Sequence, residues 1–256
     1  MDLSDAQWAV LDPLFRPKRR DDGRGRPWQD TRAVLNGVFW VLRTGAPWHD
    51  LPRRYPPYQT CHRRFQQWQR SGLLTRLLQK LAEDLRDRGK LDLERVVHRC
   101  QLQFGEKRGS AVGPTRRGKG SKIMAISDGH GLPLAVHVAS ASPHETKLVG
   151  PTIERRFLAE TPEWLIGDCA YDSDPLDVQI RERFGVQLVA PHKCTRSRKA
   201  TQDGRVLRRY RRRWKIERLF AWLHNFRRVV IRWEYYPENF LGMVQFACAV
   251  ILLRYL

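Results

Sequence analysis

Long apolar runs are missing from this 256-residue chain. The longest, Phe246 to Leu253, is eight residues, against the roughly 20 that a membrane-spanning helix needs. Cysteine is sparse: Cys61, Cys100, Cys169, Cys194 and Cys248 are scattered and form no C-x-x-C pair. That pattern argues against a zinc knuckle or a disulfide frame and suits a reducing compartment. The opening residues, MDLSDAQW, are acidic and not apolar, so no export signal is expected and the expected location is cytoplasmic. Acidic residues are also short, with 27 Asp and Glu against 47 Lys and Arg and a net charge of +20. The chain is nevertheless 41% hydrophobic with nine Trp, enough to fold around a core and not behave as a disordered basic tail. A globular surface this cationic needs a polyanionic partner to offset its self-repulsion. Nucleic acid fits better than an acidic membrane surface or a merely well-solvated face.

Residues 1 to about 89 read as helical. Ser4 and Gln7 form a capping box ahead of Trp8, Leu11, Leu14 and Phe15. A second helix is expected from about Thr31 to Arg43, with Val34, Leu35, Val38, Phe39 and Leu42 on one side and a stop at Gly45. After the turn PRRYPPY comes a short helix from about Thr60 to Ser71, then one carrying Leu74, Leu77, Leu78, Leu81 and Leu85. From about residue 93 the texture changes to short apolar runs, Lys122–Ile126, Leu134–Val138, Trp164–Ile166 and Gln187–Val189, with helical segments between them. That alternation predicts an α/β layer fold. Helix returns from about Val206 to Val229 and again around Phe240 to Tyr255. The expected division is a helical unit at 1–89 and an α/β unit at 90–256.

Five stretches carry chemistry. Arg63, Arg64, Gln66, Gln67 and Arg70 are expected to be free on a helix whose Phe65 and Trp68 face inward. Arg and Gln make bidentate contacts to guanine and adenine edges, although a solvated bundle face has the same composition. Arg24 and Arg26 flank a glycine before Pro27, the composition of an arm for an A·T minor groove or of a basic linker. GPTRRGKG at 113–120 is a near miss to a phosphate-binding P-loop, with Gly120 where Ser or Thr would hold Mg²⁺. A strand is expected to follow where a P-loop needs a helix. Arg116, Arg117, Lys119 and Lys122 therefore read as a basic loop against a nucleic-acid backbone.

Asp168 follows the run Trp164–Ile166 and Gly167, so it sits at a strand end, where α/β proteins place their chemistry. Asp174 precedes Pro175 and reads as a helix N-cap, with Asp172 serving the same turn, whereas Asp168 has no evident capping role. In RRYRRRWKIERLFAWLHNFRR, residues 208–228, a helix would bring Tyr210, Arg213, Glu217 and His224 within roughly 60° of one another. Ile216, Leu219, Leu223 and Phe226 would form a separate apolar stripe. A surface ion pair between Arg213 and Glu217 is the bland alternative.

The order Tyr210, Arg213, Glu217 and then a basic residue resembles the signature of bacterial insertion-sequence transposases of the DDE type, with His224 in place of the final Lys. LIGDCAYDSDPLD (165–177), RGKGSKIMAISDGHGLPLAVHVASASPHE (117–145) and WKIERLFAWLHNFRR (214–228) are similar to the branch typified by insertion sequence five. The resemblance implies a ribonuclease H-like mixed sheet with flanking helices, preceded by an all-α helix-turn-helix-like DNA-binding domain. It implies two divalent ions, Mg²⁺ or Mn²⁺, held by two Asp and one Glu for in-line attack on a phosphodiester. Asp168 matches the second Asp and Glu217 the Glu, both as catalytic residues and metal ligands. Tyr210, Arg213 and His224 would hold substrate phosphates. The implied partners are double-stranded DNA, as terminal inverted repeats and target, and further copies of the chain assembled on it. A bacterial, nucleoid-associated location follows.

The first Asp of that pattern is absent. No Asp lies between Asp92, ahead of the expected strand, and Asp128, at the end of the next one. Codons for Val97 to Gly109, VHRCQLQFGEKRG, can be chosen so that reading one base later gives Phe-Ile-Asp-Ala-Asn-Phe-Ser-Ser-Ala-Lys-Lys-Gly. This resembles the missing strand, with the Asp codon drawing two bases from Arg99 and one from Cys100. A short compensated frameshift, or a sequencing error of the same form, would leave this trace. As written, the strand places Arg99 beside the intended metal pocket, and His98 cannot replace a bridging carboxylate. The expectation is a transposase by ancestry whose cleavage is impaired, or alternatively a non-catalytic DNA-binding remnant or repressor.

Overall fold

The computed structural model describes residues 2–16, 27–94, 96–104, 109–115, 118–197, 208 and 214–256. Four helices come first: α1 (Asp5–Phe15), α2 (Thr31–Thr44), α3 (Tyr58–Arg70) and α4 (Leu73–Asp87). The capping box of α1 is formed, with Ser4 Oγ accepting from Gln7 N and Gln7 Oε1 from Ser4 N, both at 3.2 Å. Asp30 caps α2 by accepting from Ala33 N at 2.8 Å. Gly45 ends α2 at φ 72°, and a Cβ there would stand 2.9 Å from the Arg227 side chain, so both conformation and space require glycine.

The sheet contains β1 (Val96–Phe104), β2 (Gly113–Thr115), β3 (Gly118–Ser127), β4 (Pro133–Ser140), β5 (Trp164–Ile166) and β6 (Gln187–Val189). Its order is β2-β3-β1-β5-β6, with β4 also paired to β3. β1 runs antiparallel to β3 and parallel to β5, and β5 is parallel to β6. This is a mixed sheet with flanking helices, as expected for the α/β part. β2 pairs with the start of β3, so a strand follows the GPTRRGKG stretch and the P-loop is excluded. The other helices among the described residues are α5 (Val149–Ile153), α6 (Asp174–Phe184), α7 (Trp214–His224), α8 (Arg227–Val230) and α9 (Pro237–Leu252).

The apolar stretch near the C-terminus is the central packing element. From Met243 to Leu252 every residue of α9 is buried, which is the behaviour of a helix apolar on all sides. Phe246 meets Phe39, Phe65 and Trp68 at ring separations of 5.4, 6.1 and 6.3 Å. The same helix packs on β4. One buried cluster therefore runs from Leu11 and Phe65 through Phe246 to Val97 and Leu165.

The single helix expected over 206–229 is broken at its C-terminal end. Asn225 and Phe226 separate α7 from α8, and Phe226 is extended at φ −99°, ψ 97°. The break lets Arg228 reach Glu234 Oε1 at 2.7 Å and the carbonyls of Gly45 and Ala46 at 3.3 and 3.2 Å, closing the end of α2.

Candidate active site

Three elements meet at one end of the sheet. β1 supplies Val97 and Arg99, the end of β5 supplies Gly167 and Asp168, and α7 supplies Ile216 and Glu217. Together with His98 they line a cavity of about 160 Å³. Ile216, Leu219, Leu223 and Phe226 are buried, so the expected apolar stripe docks α7 and leaves Glu217 on the cavity side. Gly167 is required where β5 turns, because a Cβ there would come within 2.8 Å of the Tyr171 ring.

Side chains of successive residues in β1 alternate between faces. Arg99 and Gln101 meet α7: Arg99 Nη1 lies 2.6 Å from Glu217 Oε1, and Gln101 Nε2 lies 2.6 Å from His224 Nε2. His98 and Cys100 face the other way. The His98 ring meets the Tyr171 ring edge-on at 4.9 Å, and Cys100 packs on the cluster of Met124, Ala139 and Leu148. Burial, together with the charge of His137, pushes the His98 imidazole down to about 3. Burial also pushes the pKa of the Cys100 thiol and of the Tyr171 phenol well above their usual ranges.

The two expected carboxylates are brought together, with differences from the sequence reading. Asp168 does have a capping role: its Oδ1 accepts from Ala170 N at 2.8 Å and starts the 3-10 turn Cys169–Tyr171. Asp174 is the first residue of α6 and not its cap, and its side chain accepts from Arg196 at 2.7 Å. Asp172 holds His192, the Lys193 amide and Arg196, tying the segment after β6 to the start of α6. Asp128 accepts from the amides of Asp92, His130 and Leu132, which makes it a turn residue of the β3–β4 hairpin. Among the described residues, no three His, Cys, Asp or Glu side chains form a group able to hold a metal ion.

The basic residues divide. Arg63, Gln67 and Lys119 are exposed, and half-buried Gln66 accepts weakly from Arg70 at 3.4 Å. Arg64 is not free as expected. It is 6% exposed, with its guanidinium 4.3 Å from the Trp28 ring centroid and 5.3 Å from that of Trp68. Lys122 is turned inward, donating to the Pro143 carbonyl at 2.7 Å. Arg24, Arg26, Arg116, Arg117, Tyr210 and Arg213 lie outside the described residues. The sequence reading also passed over Arg232, a fully buried cation that donates five hydrogen bonds. A lone Arg between Ile231 and Trp233 was its available signal.

Comparisons with known proteins identify the family of the chain. A family described as "Putative transposase of IS4/5 family" matches residues 3–78, and one described as "Transposase DDE domain" matches residues 96–252. The chain is 30% identical over 147 residues to the "Putative transposase for insertion sequence element IS402" of Burkholderia cepacia, covering 54% of this chain and 65% of that protein. It is 36% identical over 99 residues to the "Insertion element IS402 uncharacterized 16.2 kDa protein" of the same organism, covering 37% and 67%. It is 31% identical over 139 residues to the "Putative transposase for insertion sequence element IS6501" of Brucella ovis, covering 52% and 98%. The chain thus spans about two thirds of the length of the two Burkholderia relatives. No solved structure matches it. Matched along most of its length, the chain belongs to the insertion-sequence transposases with a DDE domain.

Proposed function

We propose that this chain binds the DNA ends of its own insertion sequence but does not cut them. The carrying observation is the Arg99–Glu217 ion pair at 2.6 Å. Transposases of this class use divalent ions to activate the attacking oxygen and to stabilise the leaving one. The side chains at the cavity do not fit such ions: Glu217 is paired with the permanently charged Arg99 guanidinium, both partly exposed, Asp168 spends one oxygen on the Ala170 amide, and Arg99 brings positive charge to the cavity wall.

DNA binding is supported by the net charge of +20 and by the exposed Arg63 and Gln67 on α3. In this reading residues 1–89 form a helix-turn-helix-like unit that holds DNA and residues 90–256 a ribonuclease H-like unit. The second assignment is supported by a sheet in which three antiparallel strands continue into two parallel ones. Asp168 and Glu217 are remnants of the catalytic set, and Tyr210, Arg213 and His224 contact phosphates. The specific partners are the terminal repeats, with self-association on DNA. The test uses one preparation for both properties: labelled element ends are bound and then incubated with Mg²⁺ or Mn²⁺. Binding without nicking is expected. Failure to bind removes the reading.

A further inference from the structure

The displaced codons of β1 and the geometry of the cavity converge on one position. One choice of codons over residues 97 to 103, read one base later, gives Phe, Ile, Asp, Ala, Asn, Phe and Ser. The Asp codon straddles Arg99 and Cys100, and the codon alone does not choose between them. The strand does. Cys100 packs on Met124, Ala139 and Leu148, on the face away from α7. Arg99 lines the cavity with Asp168 and Glu217 and pairs with Glu217.

A second observation concerns hydrogen bonding along the strand. Buried polar atoms in folded proteins are nearly always hydrogen-bonded, yet both ring nitrogens of His98, Oε1 of Gln101 and Nε2 of Gln103 have no partner among the described residues. His98 and Gln103 are 1% and 4% exposed. With the codons chosen above, these are the positions that read Ile, Asn and Ser one base later, an apolar side chain and two shorter polar ones. β1 nevertheless pairs with β3 from Val97 to Phe104, because backbone hydrogen bonds hold a ladder whatever the side chains.

We infer that position 99 is where this site requires its missing carboxylate, and that Arg99 now stands there as a built-in cation that closes the site to a divalent ion. The inference deepens the proposed function and rests on it. It adds the prediction that a single substitution, Arg99→Asp, creates a metal site that the natural chain lacks.

The experiment titrates the natural protein and Arg99→Asp with Mn²⁺, reading free ion by electron paramagnetic resonance and the thermal midpoint in the same samples. Arg99→Asp should bind Mn²⁺ at least about tenfold more tightly, since even outer partners of metal ligands carry 10- to 100-fold in affinity. Its midpoint should rise with Mn²⁺ concentration, because an ion bound only by the folded state stabilises it. Adding Glu217→Gln should abolish both gains. Should three clustered carboxylates prevent folding, Arg99→Asn removes the cation, keeps an oxygen donor and should gain affinity by a smaller factor. The natural protein should show no Mn²⁺-dependent midpoint. Folded variants with unchanged Mn²⁺ affinity would overturn the inference, and so would binding by the natural protein that Glu217→Gln removes. A separate DNA-binding measurement distinguishes the two failures: loss of end binding with the metal gain intact removes the DNA-end reading and leaves position 99 standing.

Discussion

His98 is a buried histidine whose two ring nitrogens have no hydrogen-bond partner among the described residues. Burial keeps its imidazole neutral down to about pH 3. In the unfolded chain the same ring takes up a proton below about pH 6.5. Between those values the unfolded state binds more protons, so stability is intact above pH 6.5 and is lost as the pH falls towards 3, by up to about 1.4 kcal/mol per unit. His137, pushed down to about 4 chiefly by burial, acts in the same direction. His98→Ile should therefore raise the thermal midpoint at pH 7, and its advantage should widen between pH 7 and pH 5, before most carboxylates titrate. Midpoints that run parallel across that range would contradict the assignment. Composition concealed two other residues. Arg64 was read as free because its helix face is polar, but Trp28, outside the helix, covers it. Asp168 was read as having no local partner because the 3-10 turn it starts has no strong sequence signal.

Elements with local signals were legible. The Ser4/Gln7 capping box, the Gly45 stop and the apolar spacing of α2 and α4 all lie within a few residues of what they specify. β1 was not legible over its length, because only Val96 and Val97 look like strand, and its extent is set by eight residue pairings with β3. The break between α7 and α8 was missed because its cause is remote, in the Gly45 and Ala46 carbonyls that Arg228 reaches. Arg232 does similar work for the chain entering β2. Its guanidinium joins the carbonyls of Ser110, Ala111, Glu234 and Tyr235 to the Ser121 hydroxyl. Arg232→Met fills a similar space but takes the guanidinium donors from the carbonyls of Ser110, Glu234 and Tyr235 and leaves Ala111 only the Ser121 hydroxyl. The expected loss is about 3 kcal/mol or more in urea unfolding. A loss below about 1 kcal/mol would show that water replaces the guanidinium without penalty.

At the scale of the molecule, one core joins the helices to the sheet through α9, and a charge of +20 surrounds it. DNA binding should therefore be strongly salt-dependent, with log K falling by roughly 0.9 per phosphate neutralised for each tenfold rise in salt. Affinity that hardly changes between low and moderate salt would contradict a phosphate-dominated interface. Within α3, replacing Gln66 and Gln67 by Ala should relax sequence preference more than it weakens total binding, because amides read base edges while cations hold the backbone. An equal loss on element ends and on random DNA would assign them to backbone contact or packing. The central claim is that ancestry survives in the fold while the cleavage chemistry does not. Its most direct test is a strand-cleavage assay on the element's own ends with Mg²⁺ and Mn²⁺, using protein whose mass confirms His98, Arg99 and Cys100. Bound, uncut ends are expected at every metal concentration; metal-dependent nicking that Glu217→Gln abolishes would contradict the loss of cleavage.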